Sequence, residues 1–203
     1  MNLFKISSHF TPHRILDIGA NVGQFHTLCK QSFPESYVFS IEASSECEPY
    51  LKGITSDYYI GLLAKDNAEY DFFTRKNDPT CTGNSTYREL TPFYSDDEIK
   101  VLKEPGVKLD DLFESDSVFD LIKIDTQGSE LDIISGGINM CAKAKGILLE
   151  VSLVPYNHNS PLKEEVFDFM DSIGFKPVDK IGFSNHPISQ TLIQEDILFI
   201  KKD

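Results

Sequence analysis

Basic residues are scarce in this sequence, and so are long apolar runs. There are 19 Lys and Arg against 32 Asp and Glu, which gives a net charge of −13 at pH 7. A nucleic-acid groove needs clustered Lys and Arg, yet no basic run is longer than two residues, as at Lys201-Lys202. No uninterrupted apolar segment approaches the length of a bilayer span. We therefore expect neither nucleic acid nor a membrane among the partners.

Cysteines are also few, and no two of them form a C-x-x-C pair. They lie far apart at Cys29, Cys47, Cys81 and Cys141. This spacing is typical of reduced cytosolic thiols and not of a disulfide or zinc framework. The first five residues lack the apolar region of a signal peptide. The sequence therefore predicts a cytoplasmic protein, and its length predicts one domain covering residues 1–203.

Strand and helix patterns alternate in the first third of the chain. Apolar runs at Arg14–Ile18, Tyr37–Ile41 and Asp57–Leu63 predict strands. Helices are predicted between them at Gln24–Phe33 and, behind a capping box, at Ser45–Leu51. A β-α-β-α-β order implies a parallel sheet with right-handed crossovers.

The second half continues this order after an interruption. Phe119–Asp125 and Gly146–Val151 predict buried core strands, each followed by a helix. The strands at Lys176–Ile181 and Asp196–Lys201 predict an antiparallel pair at one edge. In between, Ala68–Arg75 predicts an extra strand.

The interruption itself lies at about residues 77–107 and is the least regular part of the chain. Within it, the capping box of Ser95 and Glu98 predicts a short helix to Leu102, and Val107–Leu112 has a short β-like pattern. Irregular insertions of this kind often carry function. We therefore predict an insertion that faces the substrate.

The segment Asp17–Gly23 follows the first strand directly and carries the strongest functional signal. A strand, a glycine turn and a helix start form the place where α/β proteins bind nucleotide-like ligands. No P-loop motif occurs, and Asn21 replaces the second glycine of the nicotinamide fingerprint G-x-G-x-x-G. The acid at Asp17 repels phosphate and suits an uncharged or cationic ligand. S-adenosylmethionine, with a sulfonium, an ammonium and no phosphate, fits this requirement.

Further polar residues follow the other predicted core strands. Glu42 lies roughly 20 residues after the glycine turn, where an acid binds ribose hydroxyls in dinucleotide folds. Asp125 follows the fourth core strand, and Glu150 follows the fifth. His158 lies in the loop beyond the fifth strand. Lys123 lies inside an apolar strand, where an ion pair with Asp125 or Glu150 would offset its burial.

Five segments together resemble the FkbM-type class I methyltransferases. They are Leu16–Gly23, Ile41–Ala43, Leu109–Leu112, Leu121–Glu130 and Leu149–Val151. The block Lys-Ile-Asp-x-x-Gly-x-Glu at 123–130 is the most specific of them, and the resemblance runs from about residue 14 to residue 200. It implies an α/β fold with a Rossmann-like, mostly parallel seven-stranded sheet, helices on both faces and an antiparallel edge strand.

The resemblance also implies an activity, which is methylation by S-adenosylmethionine of a hydroxyl on a sugar or secondary metabolite. The acceptor would be a small molecule or a glycan. The implied cofactor-binding residues are Asp17, Gly19, Ala20, Asn21, Gly23, Glu42, Ala43, Asn84 and Ser85. The residues that would orient the acceptor or remove its proton are Asp125, then Glu150 or His158. Asp125 and Glu150 are hard oxygen ligands of the kind that a divalent metal uses, so a metal stays open as an alternative. The sequence has no dense carboxylate cluster to support it, and we assign no metal ligands.

Two departures from the family pattern and two alternatives remain open at this stage. Gln127 stands where the family tends to carry an acid, and the segment before the first strand is short. A partner or a second copy of the chain, giving a homo-oligomer, would then help to close the site. The chain could also be an inactive interaction module that binds S-adenosylmethionine, or a nicotinamide-dependent oxidoreductase, which Asn21 disfavours.

Overall fold

The structure is a computed structural model that describes residues 1–202. Its strands are β1 (Arg14–Ile18), β2 (Tyr37–Glu42), β3 (Tyr58–Ile60), β4 (Leu62–Leu63), β5 (Glu69–Arg75), β6 (Ile99–Val107), β7 (Leu121–Ile124), β8 (Gly146–Ser152), β9 (Phe175–Asn185) and β10 (Leu192–Lys201). Its α-helices are α1 (Gln24–Ser32), α2 (Glu48–Lys52), α3 (Leu109–Leu112), α4 (Glu130–Gly136), α5 (Ile138–Cys141) and α6 (Lys163–Ser172). Short 3₁₀ helices cover Leu3–Ser8, Ser45–Cys47 and Pro92–Tyr94.

One large sheet organises the molecule, with seven strands in the order β3-β2-β1-β7-β8-β10-β9. The first five strands in this order, from β3 through β2, β1 and β7 to β8, run parallel to one another. β10 pairs antiparallel with both β8 and β9. The predicted mostly parallel sheet with an antiparallel edge is therefore confirmed. The chain order reverses between β1 and β7, and ligands of such sheets bind at this point, beyond the carboxyl ends of the strands.

The two faces of this sheet are covered by different elements because alternate side chains point to opposite sides. On one face, Ile15, Leu121, Leu148 and Leu198 pack with α1 and the first 3₁₀ helix. On the other face, the neighbouring residues of the same strands pack in a larger core with α4 and α6. The central strands are accordingly buried along their whole length, as expected for parallel strands covered on both faces.

A second, three-stranded sheet has the order β4-β6-β5, and of its strands only β6 lies within the interruption. The predicted helix up to Leu102 is wrong, because Ile99–Val107 forms β6 and pairs antiparallel with the whole of β5. The predicted β-like run Val107–Leu112 is also wrong beyond Val107, since Leu109–Leu112 is the helix α3. Long-range pairing with β5 outweighs the local capping signal, and Pro105-Gly106 disfavours a helix there.

The predicted strand Asp57–Leu63 is divided at Gly61. Tyr58–Ile60 joins the large sheet as β3, whereas Leu62–Leu63 pairs with β6 in the small sheet. The helix after β2 also differs from its prediction. It begins at Ser45 as a 3₁₀ turn, and no side chain caps it.

Candidate functional site

The glycine turn after β1 is wedged between the ends of two neighbouring strands. The backbone N–H groups of Gly19 and Ala20 both donate to the Ile41 carbonyl at the end of β2, at 2.9 and 3.0 Å. Gly19 has a φ of +75°, and a Cβ there would lie 1.9 Å from the backbone oxygen of Asp125. Glycine is therefore required because the turn packs against the backbone that follows β7.

A cavity of about 380 Å³ opens beside this turn, at the carboxyl ends of β1, β2, β7 and β8. This size falls within the range of small-molecule sites, and we name it the first cavity. Most of the residues that the sequence predicted for the site form its wall, namely Gly19, Ala20, Asn21, Glu42, Ala43, Asn84, Ser85, Asp125 and Glu150. Topology thus brings together residues from five separate parts of the chain.

Glu42 organises one end of the first cavity. Its carboxylate accepts the backbone N–H of Asn21 on Oε2 and that of Ser44 on Oε1, both at 2.8 Å. Burial raises the pKa of this carboxyl group, and the two N–H donors oppose the rise. Each carboxylate oxygen has a further lone pair, so Glu42 can still accept hydroxyl groups from a ligand.

The loop between β5 and the Pro92–Tyr94 turn lies over this end of the cavity. The Asn21 amide donates to the Thr80 carbonyl at 2.8 Å, and the Ser85 hydroxyl donates to the Thr126 carbonyl at 2.7 Å. Asn84 accepts the Tyr94 hydroxyl at 2.9 Å. These bonds attach the insertion to the ends of β1 and β7, which explains how Asn84 and Ser85 reach the wall.

A buried cation joins the two strand ends at the other end of the cavity. The Lys123 Nζ lies 3.3 Å from Oδ1 of Asp17 and 3.5 Å from Oδ2 of Asp125, and donates to the Gly19 carbonyl at 3.1 Å. Burial lowers the pKa of Lys123, but the two carboxylates raise it by more. The sequence predicted Asp125 or Glu150 as the ion-pair partner of Lys123. The structure confirms Asp125 and shows Asp17 as a second partner.

The register of the strands places several carboxyl groups around the Lys123 ammonium. Because side chains alternate along a strand, the side of the sheet that packs against α1 also carries Lys123, Asp125, Glu150 and Asp196. Asp196 lies directly opposite Glu150 in the β8–β10 pair. Burial is the main cause that raises the pKa of Asp196 to about 6, and the neighbouring acid Asp125 is the second. Burial and the same neighbouring acid also raise the pKa of Glu150 well above its ordinary value.

Two amides bind the Glu150 carboxyl group. The Gln127 Nε2 donates to Oε2 of Glu150 at 2.5 Å and to Oδ1 of Asp125 at 3.2 Å. The Gln194 Nε2, from β10, donates to the same Oε2 at 2.8 Å. Gln127 therefore holds Asp125 and Glu150 in one arrangement, which a carboxylate at that position could not do by donation.

Three predicted residues lie outside the wall of the first cavity. Asp17 is fully buried behind Lys123, and Gly23 is the left-handed residue that precedes α1. His158 is exposed and does not form part of the wall, while its backbone N–H donates to the Arg88 carbonyl. The structure thus does not bring His158 together with Asp125 and Glu150.

Sequence reasoning missed two residues of β10. Asp196 contributes to the wall of the first cavity, and Gln194 binds Glu150. The signal was present, because Gln194-Glu195-Asp196 is a polar run inside an otherwise apolar strand. Within residues 1–202, no three His, Cys, Asp or Glu side chains have the geometry of a metal site.

Glu130 closes the turn that carries Asp125. Its carboxylate accepts the N–H of Thr126 on Oε1 at 2.9 Å and the N–H of Gly128 on Oε2 at 3.0 Å. Burial raises the pKa of Glu130 to about 7, although these two donors oppose the rise. The turn is thus closed by a group that titrates near neutral pH.

We expect this shift to appear in the pH dependence of stability. The folded protein keeps a proton on Glu130 that the unfolded chain releases, so stability falls as pH rises from the ordinary value of 4.5 to about 7. Chemical unfolding of wild type and Glu130→Gln across this range measures the difference between them. The variant is expected to lose less stability with rising pH, and parallel profiles would contradict the assignment.

Three comparisons were made with known proteins. A sequence model of the methyltransferase FkbM domain matches residues 17–177. The FkbM methyltransferase structure from Methylobacillus flagellatus KT aligns with a TM-score of 0.57 at 16% identity. That alignment covers 93% of this chain but only 43% of the other. A search of curated proteins found no match.

Two further crystal structures share the fold at low identity. An S-adenosylmethionine-dependent methyltransferase from Clostridium acetobutylicum ATCC 824 gives a TM-score of 0.58 at 8% identity, covering 99% of this chain and 89% of that one. Magnesium protoporphyrin IX methyltransferase from Synechocystis PCC 6803, with bound SAM, gives 0.54 at 9% identity, covering 98% and 75%. No helix within residues 1–202 combines the length and apolar character that crossing a bilayer requires.

Proposed function

The chain belongs to the FkbM methyltransferase family, and we propose that it methylates a hydroxyl group of a small molecule or glycan. S-adenosylmethionine is the cofactor, and when bound it supplies a methyl group made electrophilic by its sulfonium. The observation that carries the proposal is the first cavity, which has Glu42 at one end and Asp125 at the other.

The residues of the first cavity fit this cofactor chemically. Glu42 offers acceptor lone pairs where a ribose would need them, on a carboxylate already fixed by two backbone N–H groups. At the other end, the carboxyl groups of Asp125 and Asp196 lie beside Lys123, which is the only Lys or Arg in the wall of the cavity. Such an end suits the positively charged methionine portion, and it would disfavour a phosphate.

Asp125 is the residue best placed to serve the acceptor. It is the most exposed carboxyl group of the cluster, with 27% of its side chain exposed, whereas Asp17 is fully buried. Bonds from Gln127 and the nearby Lys123 hold its two oxygens in place. In the proposed reaction, Asp125 orients the acceptor hydroxyl and takes up its proton as the oxygen–methyl bond forms and the carbon–sulfur bond breaks.

We expect Glu42→Ala to weaken binding of S-adenosylhomocysteine by about ten- to a hundredfold, the cost of a lost hydrogen bond to a charged group. Isothermal titration calorimetry measures the effect, and thermal unfolding checks that the variant is folded. Glu46→Ala is the matched control, because this acid is exposed on the adjoining 3₁₀ turn and lies outside the cavity. Equal affinities for folded Glu42→Ala and wild type would overturn the cofactor assignment.

A further inference from the structure

The carboxyl groups of Asp125 and Glu150 stand where two cavities meet. A second cavity of about 500 Å³ adjoins the first, and the walls of both contain these two residues. The wall of the second cavity also contains the amides of Gln127 and Gln194. The pair of carboxyl groups therefore borders both cavities, and the two amides lie beside it.

The two amides meet at one oxygen of Glu150. Nε2 of Gln127 and Nε2 of Gln194 both donate to Oε2 of Glu150. Nε2 of Gln194 also lies 3.5 Å from Oε1 of Gln127. An amide nitrogen donates and an amide oxygen accepts, so these contacts fix the orientation of Gln127. Its nitrogen faces the two carboxyl groups, and its oxygen faces Gln194.

This arrangement determines where a proton on Glu150 can lie. Two N–H donors occupy both lone pairs of Oε2, so the proton has to be on Oε1. Burial is the main cause that raises the pKa of Glu150, and the charge of Asp125 and a hydrogen bond to it add to the rise. Neutral Glu150 can then donate from Oε1 to the Asp125 carboxylate.

Asp125, in contrast, is surrounded by groups that stabilise a negative charge. The Lys123 ammonium lies 3.5 Å from its Oδ2, and Gln127 donates to its Oδ1. Its side chain is also partly exposed, whereas Glu150 is buried. Two neighbouring carboxyl groups with such different surroundings divide their roles, one as the acid and the other as the base.

The other charged or titratable groups near Glu150 come from several elements. They are Lys123 of β7, Glu130 of α4, Tyr156 of the loop after β8 and Asp196 of β10. The two acids oppose a charge on Glu150, and the single cation is already paired with Asp17 and Asp125. These surroundings keep the proton of the pair on Glu150.

The backbone of Gln127 gives a second, independent observation. Its φ is +57°, in the left-handed region that residues other than glycine adopt at a cost in free energy. Such conformations persist where surrounding contacts hold them, and they are concentrated at active sites. The backbone strain therefore indicates that the amide side chain is needed at this position.

We propose that Gln127 is a positioning residue that, with Gln194, confines the proton shared by Asp125 and Glu150 to Oε1 of Glu150. Asp125 then meets the acceptor as a carboxylate. The inference rests on the proposed function, because it concerns the base of that reaction. During transfer, Asp125 takes the acceptor's proton, and the electron pair of the broken carbon–sulfur bond stays on sulfur. The pair then holds two protons and releases one to solvent.

Carbon-13 NMR of the Asp and Glu side-chain carboxyl groups tests this proposal in the presence of S-adenosylhomocysteine. Spectra of Asp125→Asn and Glu150→Gln assign the two signals. In the pH range where the pair holds one proton, wild type should show a neutral Glu150 and an ionised Asp125. The reverse distribution, or a proton divided equally between the two, would overturn the proposal.

Gln127→Met keeps the size of the side chain and removes its N–H donors. Because these donors stabilise ionised carboxyl groups, we expect the pair to lose its proton about one pH unit higher than in wild type. Gln127→Glu should shift the titration further, since a third carboxyl group joins the pair. A residue that merely fills space would leave the titration unchanged in both variants, and that result would contradict the assigned role.

Gln190→Met is the matched control. Gln190 is also left-handed, with a φ of +60°, but it is exposed in the β9–β10 hairpin, where its amide donates to the Pro187 carbonyl. Its substitution should leave the titration of the pair unchanged.

Gln194→Met gives a separate arm that does not depend on the folding of the Gln127 variants. It removes the other N–H donor to Oε2 of Glu150, so Glu150 should also lose its proton about one pH unit higher than in wild type. An unchanged Glu150 titration in this variant would show that the amides do not control the proton.

Calorimetry with S-adenosylhomocysteine separates this inference from the proposed function. Wild type and Gln190→Met are expected to bind it with equal affinity, because Gln190 lies outside the first cavity. Failure of wild type to bind it would count against the proposed function itself. Intact binding, with a titration that the Gln127 and Gln194 variants do not shift, would overturn only the positioning role.

Discussion

Asp125→Asn is expected to slow methyl transfer by about 10² to 10⁴-fold, the usual contribution of a general base. The amide has almost the same shape as the carboxylate and still offers one oxygen to Gln127. It cannot, however, take a proton from the acceptor. Binding of S-adenosylhomocysteine should change much less than the rate, because Glu42 and the glycine turn are untouched.

The measurement is single-turnover transfer of labelled methyl to an acceptor found by screening hydroxylated small molecules and glycans. Asp171→Asn is the control, because its carboxylate is exposed on α6 and pairs only with Lys202 there. The control should retain the wild-type rate. A folded, cofactor-binding Asp125→Asn enzyme with an undiminished rate would show that another group removes the proton.

Lys123→Met is expected to destabilise the fold by roughly 3–5 kcal/mol, the range measured when one partner of a buried ion pair is removed. Lys123 is 3% exposed and Asp17 is fully buried, so neither charge gains much from solvent. Without the ammonium, the carboxyl groups of Asp17 and Asp125 lose the cation that lies between 3.3 and 3.5 Å from each of them. The methionine side chain is long enough to avoid a large void.

Urea unfolding as a function of pH tests this expectation and its electrostatic cause. Burial already raises the pKa of Asp17, and loss of Lys123 raises it further. A proton on Asp17 removes the uncompensated charge, so the deficit of the variant should shrink as pH falls. Lys103→Met is the control, because its pair with Asp71 is exposed and screened by solvent, so its loss should change stability little at any pH. A deficit independent of pH would indicate lost packing instead.

The core of the large sheet could be predicted from the sequence because its central strands are mostly apolar. Leu121–Ile124 and Gly146–Ser152 are buried at every position. Short, nearly continuous apolar runs of this kind are typical of parallel strands covered on both faces. The small sheet could not be read in this way. β6 carries exposed charges and a proline, and it forms a strand because it pairs with β5 from Ile99 to Pro105 and with β4 at Gly106 and Val107.

The same division holds for the site. Gly19, Glu42 and Asp125 were predictable because each directly follows a core strand, and parallel strands end at one edge of the sheet. Gln194 and Asp196 were not, because their place depends on the register of the antiparallel β8–β10 pair. His158 was predicted from its loop alone, and loop position says nothing about where a side chain lies.

By itself, the sequence determined the fold class, the family and the cofactor turn, because these depend on local patterns of apolar residues, glycines and acids. The tertiary structure decided which polar groups meet. It paired Lys123 with Asp17, set Asp196 opposite Glu150, and divided the space around Asp125 into two cavities. Such encounters depend on strand register and on distances between remote segments, and no local pattern encodes them.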